Sequence, residues 1–210
     1  MLLINVPYSE KDEAKALGAK WNPDEKSWIA PGNTYVDYKK FSNWFDGDII
    51  VQNELYLIEA MRICWKCGKP TKVVCFALKN YVDIHSSRPE YRYLITSMLT
   101  KMPGEVLKHI QEYYNFKEKY SHTIKDKYWA NCCPYCDSLY GNNYLFYELD
   151  SPFYADTPEK ARQLIMYRIT LPLDMCVDLG DTFPIVISGQ DYDVVSKMID
   201  RYAIHVDLNL

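Results

Sequence analysis

Four cysteines carry the chemistry that stands out in this sequence. Cys64 and Cys67 in "CWKCGK", and Cys133 and Cys136 in "CPYC", form two Cys-x2-Cys pairs. Such a pair is a tight turn that aims two thiolates at one cation, and a tetrahedral site needs four ligands. The pair of pairs therefore predicts one structural zinc per chain, held by Cys64, Cys67, Cys133 and Cys136. Four thiolates close the coordination sphere, leaving no position for water or substrate, so the site is expected to fold the protein rather than catalyse. Gly68 follows the first pair, where the backbone must turn its N–H groups toward sulfur. Asp137 holds the matching place after the second and can take a left-handed conformation at some cost. Reduced thiols or redox chemistry is the alternative reading of the pairs. Among the other cysteines, Cys132 reads as a packed neighbour, and Cys75 and Cys176 as small apolar core residues. An odd total of seven argues against a complete disulfide framework.

Other chemistry is sparse. His85, His109, His122 and His205 show no metal-ligand spacing, and there is no phosphate loop, dinucleotide fingerprint or nucleophile elbow. The chain is not expected to be an enzyme. Charge gives two further candidates. Residues 64–136 carry twelve basic and six acidic side chains, whereas residues 137–210 carry five and twelve. In the basic part Lys117, Lys119, Lys125 and Lys127 interleave with Tyr113, Tyr114, Phe116, Tyr120, Tyr128 and Trp129. Aromatic faces among cations are what a single-stranded nucleic-acid groove uses, with Lys117, Lys119, Tyr120, Lys125 and Lys127 as candidate contacts. Core packing of the rings and solvation of the lysines is the plainer explanation. In the acidic part Asp174, Asp178, Asp181, Asp191 and Asp193 are candidates for a surface that meets a basic protein; a solvated acidic turn also explains the first three.

These residues need elements to position them. "LLINVPY" reads as a strand, Ser9 as the N-cap of a helix that Gly18 ends, and Trp21 and Trp28 as closing the core of a βαβ-type unit. "TYVDYKKFSNWF" has helical spacing. "ELYLIEAMRI" and "TKVVCFAL" read as strands flanking the first knuckle, "KYWAN" and "NYLFYEL" as strands flanking the second. Residues 79–128 form an insertion, with two helices broken at Pro103-Gly104. Thr157 and Pro158 open a helix, "FPIVIS" reads as a strand, and Asp191 to Tyr202 as a last helix. The expected fold is α+β: a small N-terminal βαβ-type unit (1–50) packed on a split zinc-ribbon domain (51–150) with a helical insertion, and a C-terminal α/β segment (151–210) completing the ribbon domain.

"LINVPYSEKDEAKALGAKWNPDEKSWIAPG", residues 3–32, resembles a small bacterial domain family of unknown function. Its pattern runs Val-Pro-Tyr, Ala-Leu-Gly-Ala, Trp, a Pro-Asp-Glu turn and a second Trp. That domain occurs beside DNA primase-like proteins of mobile elements and in short proteins that continue into a zinc ribbon. "RICWKCGKPTKVVCFAL" is similar to the first ribbon half, and "CPYCDSLYGNNYLFYELDSPFYADTPEKA" to the second, with Gly141, Asn143 and Pro152-Phe153 in place. The resemblance implies a cytoplasmic bacterial zinc-ribbon protein and brings no catalytic residues.

The function expected from these observations is a non-enzymatic, zinc-stabilised protein-binding protein. A concrete form is an immunity or antidote protein that neutralises a basic toxin or effector through its acidic, tyrosine-rich surface. The alternative is a nucleic-acid-binding accessory protein of a mobile element or of a replication or transfer system. No apolar run reaches the roughly 20 residues that cross a bilayer. The start lacks the pattern of a secretory signal, so a cytoplasmic location is expected.

Overall fold

The computed structural model describes residues 1–85, 94–99, 102–179 and 189–210, with only the backbone path for 189–193. The first elements are β1 (Leu2–Ile4), α1 (Lys11–Ala16), β2 (Lys20–Asn22), β3 (Ser27–Ala30), α2 (Tyr35–Tyr38), β4 (Ile49–Val51) and β5 (Glu54–Ile63). Next come β6 (Pro70–Leu78), β7 (Tyr81–Asp83), β8 (Leu94–Thr96), α3 (Gly104–Tyr113), β9 (Phe116–Ser121) and β10 (Asp126–Asn131). The last are α4 (Pro158–Ala161), β11 (Ile165–Thr170), β12 (Met175–Val177), α5 (Gly189–Tyr202) and β13 (Ile204–Leu208). They divide into two units. One holds the described residues of Met1–Leu55, Lys79–Arg92 and Thr170–Asp178; the other holds those of Tyr56–Leu78, Tyr93–Ile169 and Leu179–Leu210.

In the first unit β3 is central and antiparallel to both β1 and β2. β1 and β2 therefore run parallel with a strand between them, a βαβ connection in split form. Ser9 does not cap α1. It lies inside a 3-10 turn, Tyr8–Glu10, that leads into the helix, and no side chain caps the start. Gly18 does end it: at φ +98° its N–H reaches Lys15 O and the Ala19 N–H reaches Ala14 O, each at 2.9 Å. That pair of closing bonds requires a left-handed residue, which glycine adopts without a Cβ clash. α2 begins with a capping box between Thr34 and Asp37 and continues as a 3-10 helix through Trp44.

Trp28 joins the core with Leu2, Ile4, Ala14, Phe41 and Trp44, as expected. Trp21 does not. It is 53% exposed and meets Trp28 edge-on at 5.8 Å, and its strand, β2, is the edge of the β1-β3-β2 sheet among the described residues. The expected boundary near residue 50 also moves. Ile49, Ile50 and Val51 are all buried, so β4 needs a neighbour on each side, and β7 and β12 pair with it antiparallel. Parts of the expected insertion and C-terminal segment are thereby drawn into the first unit.

The second unit is built on a sheet in the order β13-β11-β5-β6-β8. β5 and β6 form the hairpin expected around the first knuckle, from Tyr56↔Ala77 to Ile63↔Pro70. Its core includes Ile58, Val73, Cys75, Phe146, Phe153, Met166 and Ile199. The insertion differs from the expected pair of helices. Only Gly104–Tyr113 is helical among its described residues, with Leu94–Thr96 and Phe116–Ser121 as strands. Phe116–Ser121 pairs with Asp126–Asn131 as a strand in which the half-buried Lys117 and Lys119 alternate with the exposed Glu118 and Tyr120, a period of two that the tyrosine and lysine content had masked. "NYLFY" is a π-helical turn rather than a strand: the Glu148 N–H donates back to Asn143 O, five residues earlier, at 3.2 Å, and Leu145 and Phe146 are both buried. Thr157 caps α4 with Pro158 at its first position, but the helix stops at Ala161 and Ile165–Thr170 becomes a strand. "FPIVIS" lies outside the described residues. No helix among the described residues is long and apolar enough to cross a membrane.

Candidate metal centre

The two knuckles are built alike. After β5, Cys64 N–H donates to Lys69 O at 2.9 Å, and Gly68 N–H donates to Cys64 O at 2.9 Å. After β10, Cys133 N–H donates to Ser138 O at 2.8 Å, and Asp137 N–H donates to Cys133 O at 2.9 Å. Gly68 (φ +71°) and Asp137 (φ +57°) occupy equivalent left-handed positions. Asp137 pays for its non-glycine backbone with two ion pairs: its carboxylate lies 2.6 Å from both Lys117 Nζ and Lys119 Nζ, which hold its carboxyl down to about 2.

The four expected ligands converge. The Sγ atoms of Cys64, Cys67, Cys133 and Cys136 all lie within 4.8 Å of one another. Cys64 and Cys136 are 3.7 Å apart, and Cys67 and Cys133 3.6 Å. Metal–sulfur bonds of about 2.3 Å in a tetrahedron give sulfur–sulfur edges of about 3.8 Å, so these residues fit a thiolate-bound cation. Burial opposes ionising the Cys64 thiol, but the Ser138 hydroxyl and the N–H groups of Cys67 and Lys66 outweigh it and draw it below the ordinary value. Cys133 is lowered in the same way, with burial outweighed by the N–H groups of Tyr135 and Cys136 and by Thr71. The Lys69 N–H favours the Cys67 thiolate, yet burial and the three sulfurs beside it push that thiol up. Sulfurs packed this closely repel as thiolates unless a cation sits among them.

Cys132 stands apart. It is buried, bridges Leu139 across the strand edge, and points its thiol at Ala130 O. Cys75 and Cys176 are buried core residues, as expected. Spacing gave no hint of Asn131, at the end of β10. Its amide donates to Val74 O and accepts from Val74 N–H, both at 2.8 Å, and so ties the strand before the second knuckle to the strand after the first. Thr71 and Ser138, whose hydroxyls reach the sulfurs, lie four and two residues after Cys67 and Cys136 and were equally silent in the sequence.

The candidate nucleic-acid residues fall on the β9–β10 hairpin and separate into two groups. Lys117 and Lys119 are spent on Asp137. Tyr120, Lys125 and Lys127 are exposed near or in the turn, with Tyr120 packed edge-on to His122 at 5.3 Å. Tyr114 and Phe116 are core residues. The acidic candidates also divide. Asp174 is buried: it accepts from Tyr38 Oη at 2.5 Å and from Asn53 N–H at 3.2 Å, so it serves the first unit rather than its surface. Asp178 accepts from Asp48 N–H at 2.8 Å. Asp181 lies outside the described residues, and Asp191 and Asp193 lie on α5 where side chains are not described.

Residues 1–46 match a family model described as a domain of unknown function, DUF5710. Two Escherichia coli proteins named DNA primase TraC are similar to this chain. One is 52% identical over 44 residues, 21% of this chain and 3% of that protein. The other is 49% identical over 41 residues, 20% of this chain and 4% of that protein. The chain thus spans a few per cent of the length of these relatives. No solved structure matches it. The four-cysteine cluster lies outside the span of the family match.

Proposed function

We propose that this chain is a non-enzymatic nucleic-acid-binding accessory protein of a mobile-element or DNA-transfer system, with a structural zinc as its scaffold. The observation that carries this reading is the similarity to two proteins named DNA primase TraC, at about half identity over the matched stretch. The basic balance of residues 64–136 supports it, as does a β-hairpin that leaves Lys125, Lys127 and Tyr120 in solvent. A soft, all-sulfur tetrahedral donor set suits zinc, and its closed sphere suits a scaffold. The immunity-protein reading loses ground because Asp174, part of its acidic surface, is buried within the fold.

The test is binding of a labelled single-stranded oligonucleotide by the metal-loaded protein at about 150 mM salt, followed by a salt titration. Micromolar or tighter affinity that falls steeply with salt is the expected result. No binding even at about 50 mM salt would overturn the reading, because phosphate neutralisation is strongest there.

A further inference from the structure

The two knuckles do more than hold sulfur: each carries an aromatic ring into solvent. Trp65 follows Cys64 and is 60% exposed; Tyr135 precedes Cys136 and is 57% exposed. The sulfurs of Cys64 and Cys136 are 3.7 Å apart, so the rings rise from adjoining corners of one centre. Trp65 is oriented from below, its indole N–H donating to Leu139 O at 3.2 Å. Lys69 sets its Nζ 4.5 Å from the centre of the Tyr135 ring. Met61 and Ile63, which share one face at the end of β5, extend the exposed apolar strip toward Trp65.

The charges around these rings have one sign. Residues 61–72 hold Arg62, Lys66, Lys69 and Lys72 and no carboxylate. Arg62 is engaged by Glu148 and Asp150 and Lys72 by Glu59, which leaves Lys66 and Lys69 as exposed cations beside the rings. Two lysines also offset the negative charge of a metal–thiolate centre, but that role requires no ring in water. Next to Tyr135 an open groove of about 660 Å³ separates the end of α3 from the second knuckle, with Tyr113, Lys117 and Pro134 in its walls.

From this arrangement we infer that the knuckle tips form a stacking platform for unpaired nucleotides: Trp65 and Tyr135 take base faces, and Lys66 and Lys69 take the phosphates between them. The inference rests on the nucleic-acid reading above and gives it a site distinct from the β9–β10 hairpin. Ring faces accept any base, so binding is tolerant of sequence and selective for single strands. An acidic polypeptide would use the lysines but would leave the rings without a partner of their own shape.

The experiment uses the whole 210-residue chain, metal-loaded, with oligothymidylate and oligouridylate of equal length, and a blunt duplex as competitor. Trp65→Leu and Tyr135→Leu, checked for metal content and melting temperature, are each expected to weaken binding about tenfold, and Trp65→Phe to stay within about threefold, since stacking needs a ring. Preference for one oligonucleotide assigns the platform to DNA or to RNA. Iodouracil placed in the oligonucleotide should cross-link the unmutated protein at Trp65 or Tyr135, a readout independent of how the variants fold. Cross-links confined to residues 116–131, or leucine variants that bind like the parent, would overturn the platform while leaving nucleic-acid binding in place. Failure of the parent protein to bind either oligonucleotide, or equal competition by the duplex, overturns it too, the former together with the wider reading.

Discussion

The Tyr38 hydroxyl donates to Asp174 Oδ2 at 2.5 Å across 136 residues of chain, and both groups are buried. The bond joins α2 to the turn before β12, and the Asn53 N–H and the N-terminal ammonium complete the surroundings of the carboxylate. Burial and this carboxylate together push the Tyr38 phenol well above its ordinary range, so the donor stays protonated. Tyr38→Phe is expected to destabilise the protein by roughly 1.5–3 kcal/mol, the range for a hydrogen bond to a charged group. Chemical denaturation of the pair of variants Tyr38→Phe and Asp174→Asn, singly and combined, measures it. Additive losses would show that the bond contributes nothing as a pair.

The metal site gives a discrete expectation. The purified protein should contain about one zinc per chain, and serine at Cys64, Cys67, Cys133 or Cys136 should remove both the metal and the cooperative unfolding of the second unit. Cys132→Ser should keep the metal, since its sulfur points to Ala130 O. Elemental analysis decides: zinc lost in Cys132→Ser but retained in Cys133→Ser would mean the other sulfur is the ligand.

The tryptophans of the first unit should part company. Trp28 is 8% exposed, and Trp28→Ala is expected to cost roughly 3–5 kcal/mol as a large core truncation. Trp21 is 53% exposed and gives up little beyond its edge contact, so Trp21→Ala should cost about 1 kcal/mol or less. Equal losses would mean that β2 is covered in solution.

Asp37 supplies a pH signature. It accepts from the Asn33 N–H, from the Thr34 hydroxyl and from the Thr34 N–H, and these bonds hold its carboxyl below the ordinary value. A depressed carboxyl adds stability that is fully present above its unfolded pKa, about 3.9, and is lost as the pH falls through the lower folded value. An NMR titration should find the Asp37 midpoint below 3.9 or so, and Thr34→Ala should move it up. A midpoint that stays put in that variant would mean the capping box does not form in solution.

Much of this was legible in the residues. Spacing alone picked out the four cysteines whose sulfurs converge, because a knuckle is a local turn and its geometry is written in six consecutive positions. Gly18, Thr157 and the β5–β6 hairpin were legible for the same reason. What the sequence hid was long-range. Asn131 completes the backbone of Val74, 57 residues away, and no local rule marks it. Trp21 looked like core by type, and only the strand order shows that it sits on an edge. Lys117 and Lys119 looked like a binding surface until the fold paired both of them with the Asp137 carboxylate.

That last relationship yields a test of the hairpin itself. Lys117 and Lys119 already share the Asp137 carboxylate, whereas Lys125 and Lys127 have their charge in solvent. If the hairpin contributes phosphate contacts, Lys125→Ser with Lys127→Ser should lower the slope of log K against log salt by about 1.4, at about 0.7 per contact on a single strand. The melting temperature should barely move, since exposed charges contribute little to stability. Lys117→Ser with Lys119→Ser should instead act on the fold first, because Asp137 at its left-handed position loses both partners and the second knuckle loosens with it. A melting temperature lowered in this second variant and a salt slope lowered in the first would separate the two pairs of lysines by role. An unchanged slope in the Lys125/Lys127 variant, with affinity intact, would take the hairpin turn out of the nucleic-acid surface.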